Sequence, residues 1–204
     1  MKELLLVYVA YVIAAGSPGP STMAIMNVAM AQGRRPALAL AAGVITMSFC
    51  WGLIAATGLS ALLARYAQAL MILKIAGGLY LLWLAFKSAR SALNSGDAAV
   101  PAARDRPSPR ALYRRGVLMH LGNPKSVLSW LAIMTLGVGP NASVGRVATA
   151  FSGCVLLGVI LFGGYALLFS TAPMVKGYAR ARRWIEGMLA VVFAGAGLKL
   201  LSAR

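Results

Sequence analysis

Helix-breaking residues interrupt two stretches of otherwise apolar sequence in this chain. The first interruption, Gly16-Ser17-Pro18-Gly19-Pro20-Ser21, lies within residues 4–31, and the second, Gly122-Asn123-Pro124-Lys125-Ser126, lies within residues 112–138. A proline inside a helix removes a backbone donor and clashes with the preceding turn, so neither stretch can form one continuous helix. Each stretch therefore predicts two helical segments joined by a short break.

Composition decides which kind of fold these stretches belong to. The chain has 204 residues, of which 60% are hydrophobic and 12% are charged, and its mean hydropathy is +0.77. A helix needs about 20 apolar residues to cross a bilayer. Six runs are near or above that length: 4–31, 37–64, 67–86, 112–138, 147–174 and 184–201. We predict an all-α, polytopic membrane protein with six transmembrane helices, the first and fourth of which are broken.

The net charge of +16 raises the possibility of a nucleic-acid partner, which would require the basic residues to share one exposed face. Most of them instead lie in alternate connections between the apolar runs: Arg34, Arg35, Lys87, Arg90, Arg104, Arg106, Arg110, Arg114, Arg115, Lys176, Arg180, Arg182 and Arg183. Because positive residues mark cytoplasmic loops, we place the odd-numbered loops in the cytoplasm and both termini outside. We expect no nucleic-acid partner, and the spans themselves contact lipid.

Six spans divide into two halves of three. Residues 94–111 are rich in Ala, Pro, Ser and Arg and read as a cytoplasmic linker between an N-terminal repeat, 1–93, and a C-terminal repeat, 112–204. Because three is an odd number, the second repeat must sit inverted in the membrane relative to the first. At 1.5 Å per residue, residues 4–16 rise about 20 Å, which places the first break near the midplane. The second break is expected at similar depth from the opposite side.

A helix break inside a bilayer exposes unpaired amides at one end and unpaired carbonyls at the other. In lipid these groups are costly, so they should face the protein interior or a wet cavity. A zwitterion fits them, with its carboxylate at the helix starts after Pro20 and Pro124 and its ammonium at the carbonyls near Gly16 and Gly122. A kink without a ligand is the alternative. The candidate substrate-binding residues are Ser17, Pro18, Gly19, Pro20, Ser21, Asn123, Pro124, Lys125 and Ser126.

Two ionisable residues at the second break are candidates for proton coupling. Lys125 is costly at membrane depth and is a functional residue by default, unless its side chain reaches along its stem to water. His120 is the one histidine of the chain and comes just before the break, although it can also be an ordinary helix residue. Lys74 and Glu186 are read as interfacial anchors. Cys50 and Cys154 are read as small hydrophobes, and we expect no metal or cofactor.

Several of these features together resemble one family. They are the Pro-Gly-Pro of the first run followed by Gly33-Arg34-Arg35, Gly43 in the second run, residues 74–87 with Tyr80-Leu81, and Asn123-Pro124-Lys125. The chain resembles LysE-type translocators, the lysine exporter and homoserine/threonine efflux family of bacterial inner membranes. The resemblance implies six helices, multi-pass insertion in the inner membrane, export of amino acids or related metabolites, and coupling to the proton gradient. Carried over by position, it implies a site at Pro18, Gly19, Pro20, Asn123, Pro124 and Lys125.

The chain departs from that family in its second run, where many members have an acidic residue shortly after the glycine and this sequence has Thr46-Met47-Ser48. The chain has four acidic residues, and none lies centrally in an apolar run. We therefore expect a neutral or anionic amino acid as substrate, with a neutral one favoured over lysine or arginine.

Other functions remain open at this point. A passive channel or a membrane-embedded accessory subunit is the main alternative, although neither needs two matched breaks. An intramembrane enzyme is less favoured, because the sequence has no Gly-x-Ser-x-Gly or His-Glu-x-x-His motif and no paired intramembrane carboxylates. We therefore predict that the chain is not an enzyme. Small residues on the helix faces permit a homodimer without requiring one.

Overall fold

A computed structural model describes residues 2–17, 19–57, 107–134 and 142–202, together with scattered positions between 75 and 93. The described ranges form helices α1 Lys2–Gly16, α2 Pro20–Gln32, α3 Arg34–Ala56, α4 Pro109–Leu121, α5 Pro124–Ala132, α6 Val144–Leu168 and α7 Ala172–Ser202. These ranges contain no strand, and the predicted all-α class is confirmed. Pro18, most of the third apolar run and residues 94–106 of the linker lie outside the described residues.

Both predicted helix breaks are confirmed. α1 ends at Gly16 and α2 begins at Pro20, and the two segments meet at an angle of 56°. α4 ends at Leu121 and α5 begins at Pro124. Proline is well suited to the first position of a helix, because a backbone N–H at that position would have no acceptor within the helix and because the fixed φ of proline is already helical.

Two described helices, α3 and α6, are long and apolar enough to cross a membrane, and the bent pair α1–α2 makes a third span if it is counted as one. α3 has 23 residues and α6 has 25, which correspond to about 35 and 38 Å. Large apolar side chains are exposed on the surface of these helices: Leu53, Leu156, Ile160 and Leu167. The prediction of helices able to span a membrane is therefore confirmed, whereas the count of six spans stays a prediction.

Contacts between α1 and α6 show that these two helices run in the same direction. Near their starts, Glu3 forms an ion pair with Arg146. Near the end of α1, the Tyr165 hydroxyl donates to the carbonyl of Gly16 at 2.5 Å. The beginnings of both helices therefore lie at one end of the molecule.

α3 and the broken pair α4–α5 also run parallel to one another, and opposite to α6. Gly43 of α3 packs against the backbone of α4 near Tyr113, while Gly52 lies against Trp130 of α5. The ring of Phe49, near the end of α3, is 5.2 Å from that of Phe151, near the start of α6. The directions are those that the predicted alternation of spans one, two, four and five requires.

Two apolar clusters hold the helices together. One joins α2, α3, α4 and α6 and includes Ile25, Leu40, Leu112 and Phe162. The other joins α1, α3, α5 and α6 and includes Val7, Tyr11, Ala55, Trp130 and Cys154. In each broken pair, the helix before the break belongs to one cluster and the helix after the break belongs to the other: α2 and α4 pack in the first cluster, and α1 and α5 pack in the second. The breaks are therefore held between two packed layers.

The structure differs from the sequence-based expectations at the ends of two helices. α4 begins at Pro109, capped by the Ser108 hydroxyl, so its first turn lies inside the predicted linker. α7 begins at Ala172, well before the predicted sixth run, and it includes Lys176 and Arg180. Hydropathy marks the apolar part of a helix, whereas lysine, arginine and alanine extend it into polar surroundings because they favour helix.

Glu186 also departs from its expected role as an interfacial anchor. Its side chain is 3% exposed, so it faces the protein interior.

Candidate functional site

The two breaks lie in direct contact with one another. The Lys125 ammonium donates to the carbonyl of Ser17 at 2.7 Å and to the Ser17 hydroxyl at 2.8 Å. The Asn123 side-chain amide donates to the hydroxyl of Ser21 at 3.3 Å. Two segments that are far apart in the sequence therefore form one polar region between the apolar clusters.

The first break is shaped by backbone that is extended rather than helical. Gly19 has φ −163° and ψ 179°, and its amide donates to the Thr22 hydroxyl at 2.7 Å. The same hydroxyl donates to the Gly19 carbonyl at 3.0 Å. The amides of Ser21 and Thr22 belong to the first turn of α2, where N–H groups have no partner inside the helix. This helix start therefore presents the positive end of a dipole to the site.

The second break ends in a side-chain cap. Asn123 precedes α5, and its side-chain carbonyl accepts from the amide of Lys125 at 3.2 Å. Asparagine is among the preferred residues at this position because its oxygen satisfies an amide of the first turn. The cap fixes which way the side chain points, so its NH₂ group is directed at Ser21. Asn123 thus starts α5 and links the two breaks.

Lys125 spans the gap between the breaks. Its ammonium lies at the carbonyl end of α1, where the helix dipole favours a cation. Its stem crosses Gly19 so closely that a Cβ there would lie 3.2 Å from Nζ and 3.3 Å from Cδ. The side chain therefore does not extend out of the protein to water, and glycine at position 19 leaves room for it.

At the first break, the carbonyls that the sequence assigned to a substrate ammonium have partners from the protein itself. The Ser17 carbonyl accepts from Lys125, and the Gly16 carbonyl accepts from Tyr165. A substrate that uses these carbonyls must first displace one of the two side chains.

His120 is 3% exposed and has a serine at each ring nitrogen. Nδ1 lies 2.8 Å from the Ser21 hydroxyl, and Nε2 lies 2.7 Å from the Ser126 hydroxyl. Because the Ser21 oxygen already accepts from Asn123, we assign the Ser21 hydroxyl as the donor to Nδ1. This assignment makes Nε2 the protonated nitrogen of a neutral ring, donating to Ser126. The hydroxyl hydrogen of Ser126 is then available to a molecule in the cavity.

A cavity opens at the breaks. From the predicted residues it is lined by Gly19, Ser21, His120, Asn123, Lys125 and Ser126. Ser17 contributes through its contact with Lys125. Pro20 and Pro124 begin their helices and are not among the lining residues, and Pro18 lies outside the described part of the chain.

Sequence reasoning missed the far wall of this cavity, which consists of Tyr11, Ser48, Ser129, Trp130 and Phe162. Ser48 is buried and accepts from the indole N–H of Trp130 at 3.0 Å. A helical spacing could have found part of the wall, because positions 126, 129 and 130 share one face of a helix, as do 11, 14 and 15. This spacing is weak evidence for a site, because a tyrosine, serine or tryptophan that stands alone in an apolar run is expected to be a packing residue.

The lining residues within the described part of the chain supply hydroxyl, amide, indole and ammonium groups, and no carboxylate is among them. Within the described ranges, no group of three or more His, Cys, Asp or Glu side chains is placed to hold a metal ion. The site is suited to bind an anion at the α2 start and Lys125, and to surround a small side chain beyond it.

Comparison with known proteins agrees with the motifs. A sequence profile described as LysE type translocator matches residues 12–204. The threonine efflux protein of Salmonella typhi is 30% identical over 200 residues, which cover 97% of this chain and 97% of that protein. The threonine efflux protein of Escherichia coli (strain K12) is 28% identical, with 98% of each chain covered. The leucine efflux protein of Klebsiella pneumoniae is 26% identical, covering 92% of this chain and 89% of that protein. No solved structure matches the chain significantly.

Proposed function

The chain belongs to the LysE type translocator family, and on that premise we propose that it exports a neutral amino acid across the bacterial inner membrane. A family of translocators confirms the prediction that the chain is a transporter and not an enzyme. The observation that carries the proposal is the meeting of two helix breaks at one cavity, bridged by Lys125. Broken helices at a shared site are a recurring way for transporters to bind ions and zwitterions.

The carboxylate of the substrate is proposed to bind where positive charge is concentrated. The amides of Ser21 and Thr22 point from the start of α2, and the ammonium of Lys125 lies across the adjacent Gly19. A helix N-terminus with a nearby cation favours an anion. Substrate binding would then draw Lys125 away from Ser17 and loosen the link between the breaks.

A neutral substrate is favoured over a basic one by the groups that line the cavity. The described lining residues carry one ammonium and several hydroxyls, and a second cation in the same space would be repelled. The relatives named for threonine and leucine efflux support the same substrate class.

Proton coupling is proposed to act through His120. The ring joins Ser21 at the first break to Ser126 at the second break. A proton added at Nδ1 would turn this nitrogen from acceptor into donor, so the hydrogen bond with Ser21 would have to reverse. The bound proton would thereby change how the two breaks are connected. Lys125 is the other candidate for the coupling group.

The surrounding architecture is proposed to be two inverted repeats, 1–93 and 112–204, with both termini outside. The opposite directions of the two broken pairs support this arrangement, and so does the opposite direction of α3 and α6. A homodimer remains a prediction from the small-residue helix faces.

Counterflow into proteoliposomes tests the function. Vesicles containing the purified protein are loaded with unlabelled threonine, leucine or lysine, and the uptake of radiolabelled threonine is followed. We expect saturable uptake when the vesicles contain threonine or leucine and little uptake when they contain lysine. Efficient exchange with lysine alone would overturn the neutral preference, non-saturable flux would indicate a channel, and absence of flux would indicate an accessory role.

A further inference from the structure

We propose that Tyr11 sets the upper size limit for the side chain of the transported amino acid. This inference rests on the proposed function, because it concerns the far wall of the same cavity. Tyr11 is 3% exposed and was not among the residues that the sequence motifs indicated.

The cavity has a polar end at the breaks and an aromatic end beyond them. Tyr11 precedes Gly16 by five residues of α1, and Trp130 follows Pro124 by six residues of α5, so the two rings lie about 8 and 9 Å along their helices from the breaks. Tyr11 lies before its break and Trp130 lies after its break. Because α1 and α5 run in opposite directions, both rings therefore lie on the same side of the breaks. The ring centroids are 5.1 Å apart. An amino acid whose carboxylate is at Lys125 therefore directs its side chain toward these rings.

A second, smaller cavity lies beyond this wall. It is lined by Ile45, Phe49, Val155 and Gly158. Tyr11, Ser48 and Phe162 line both cavities, so these three side chains form the partition between them. The space open to a substrate side chain thus depends on where the partition stands.

The position of Tyr11 depends on Gly158 of α6, which has no side chain. A methyl group at Gly158 would overlap the Tyr11 hydroxyl, and the remaining ring atoms lie at ordinary contact distance, 3.5 Å or more. The hydroxyl therefore rests directly on the backbone of α6. A Cβ at position 158 would push the ring away from α6 and into the space of the substrate side chain.

The same pair of helices offers a matched control. A methyl group at Gly153 would overlap the ring of Tyr8, which also belongs to α1. The Tyr8 hydroxyl donates to the Thr149 carbonyl at 2.9 Å, and Tyr8 lines neither cavity. Gly153→Ala therefore disturbs the same helix contact as Gly158→Ala without moving the partition.

The experiment compares counterflow of alanine, threonine and leucine in four proteins: wild type, Gly158→Ala, Gly158→Ala with Tyr11→Phe, and Gly153→Ala. We expect Gly158→Ala to lower the leucine-to-alanine flux ratio by about tenfold, since one methylene in an apolar pocket can be worth that much. Tyr11→Phe removes the overlapping hydroxyl and should restore the ratio. Gly153→Ala should keep the ratio of the wild type.

A uniform loss of flux for all three amino acids in Gly158→Ala would overturn the inference, as would a double variant that fails to restore the ratio. If Gly158→Ala does not insert into the membrane, Tyr11→Phe alone decides. Without the hydroxyl that rests on α6, the ring can move closer to α6 and leave more space for the substrate side chain, so the leucine-to-alanine ratio should rise, and an unchanged ratio contradicts the proposal. The wild-type flux distinguishes failure of this inference from failure of the proposed function. Wild-type protein that carries none of the three amino acids contradicts the proposed function itself.

Discussion

At the scale of the residue, Lys125 determines the electrostatics of the site. Its ammonium is stabilised by the carbonyl and hydroxyl of Ser17, both of which are neutral. A carboxylate forms a stronger hydrogen bond with an ammonium than a neutral carbonyl or hydroxyl does, so an arriving carboxylate can replace Ser17 as its partner. In the proposed transport cycle, Lys125 therefore exchanges Ser17 for the substrate.

His120 gives a prediction at the same scale. Glutamine at position 120 can still hydrogen-bond to Ser21 and Ser126, but it cannot take up a proton. We expect His120→Gln to retain threonine counterflow and to lose accumulation driven by a pH gradient across proteoliposomes. Lys176→Ala, on the exposed side of α7, serves as the control with wild-type behaviour in both assays. Accumulation that persists in His120→Gln would remove the histidine from proton coupling.

The sequence predicted most of the residues at the breaks, because proline and glycine inside an apolar run leave few alternatives to a broken helix. It could not predict that Lys125 reaches Ser17, since the distance between the two breaks depends on how the halves pack. Ser48 was noticed only as a departure from a family pattern. Tyr11 and Phe162 gave no signal, because aromatic residues in apolar runs are expected to pack.

At the scale of the element, the site depends on how closely α3 approaches α4. A Cβ at Gly43 would overlap the carbonyl of Tyr113, and a Cβ at Gly116 would overlap that of Leu40. Small residues allow helix backbones in a membrane to come into contact, which replaces the hydrophobic driving force available in water. The contact holds α4, and with it His120, against the rest of the site.

Gly43→Ala should therefore destabilise the protein, because the backbone atoms that it meets cannot move aside as a flexible side chain can. We expect a loss of about 1–3 kcal/mol, the usual cost of overpacking. The measurement is the midpoint of thermal unfolding of detergent-solubilised protein.

Gly163→Ala in α6 is the matched control, since a Cβ there meets no atom within 4 Å. It should leave the midpoint unchanged or raise it slightly, because alanine favours helix over glycine. Equal midpoints for the two variants would contradict the close backbone contact at Gly43.

The elements themselves were largely predictable, including both breaks. The start of α7 was not predictable from hydropathy, because Lys176 and Arg180 are polar and were therefore assigned to a loop, although both residue types favour helix. The start of α4 at Pro109 was missed for a related reason, since a polar first turn with a serine cap resembles a linker.

At the scale of the whole molecule, the directions of the helices fit the orientation that the positive residues predict. The ion pair between Glu3 and Arg146 brings the starts of α1 and α6 to one end. α3 starts with Arg34 and Arg35 and runs in the direction opposite to α1 and α6. In the proposed orientation α1 and α6 start outside, which would place this basic pair in the cytoplasm.

Cysteine labelling tests the orientation in whole cells. In a background with Cys50 and Cys154 replaced by alanine, a membrane-impermeant maleimide should label Val144→Cys, which is 86% exposed at the start of α6. Arg35→Cys, which is also exposed, should react only after permeabilisation. The opposite pattern would invert the orientation, and labelling of both positions in intact cells would contradict the proposed span between them.

We propose that the two breaks jointly bind the carboxylate of an amino acid through Lys125. The most direct measurement is equilibrium binding of L-threonine and of L-threoninol, in which an alcohol replaces the carboxylate, to wild type and to Lys125→Ala. A charge-assisted contact is worth about 1.5–3 kcal/mol, so wild type should bind threonine at least about tenfold more tightly than threoninol. The preference should largely disappear in Lys125→Ala. Equal affinities in wild type, or a preference that survives the loss of Lys125, would contradict the account.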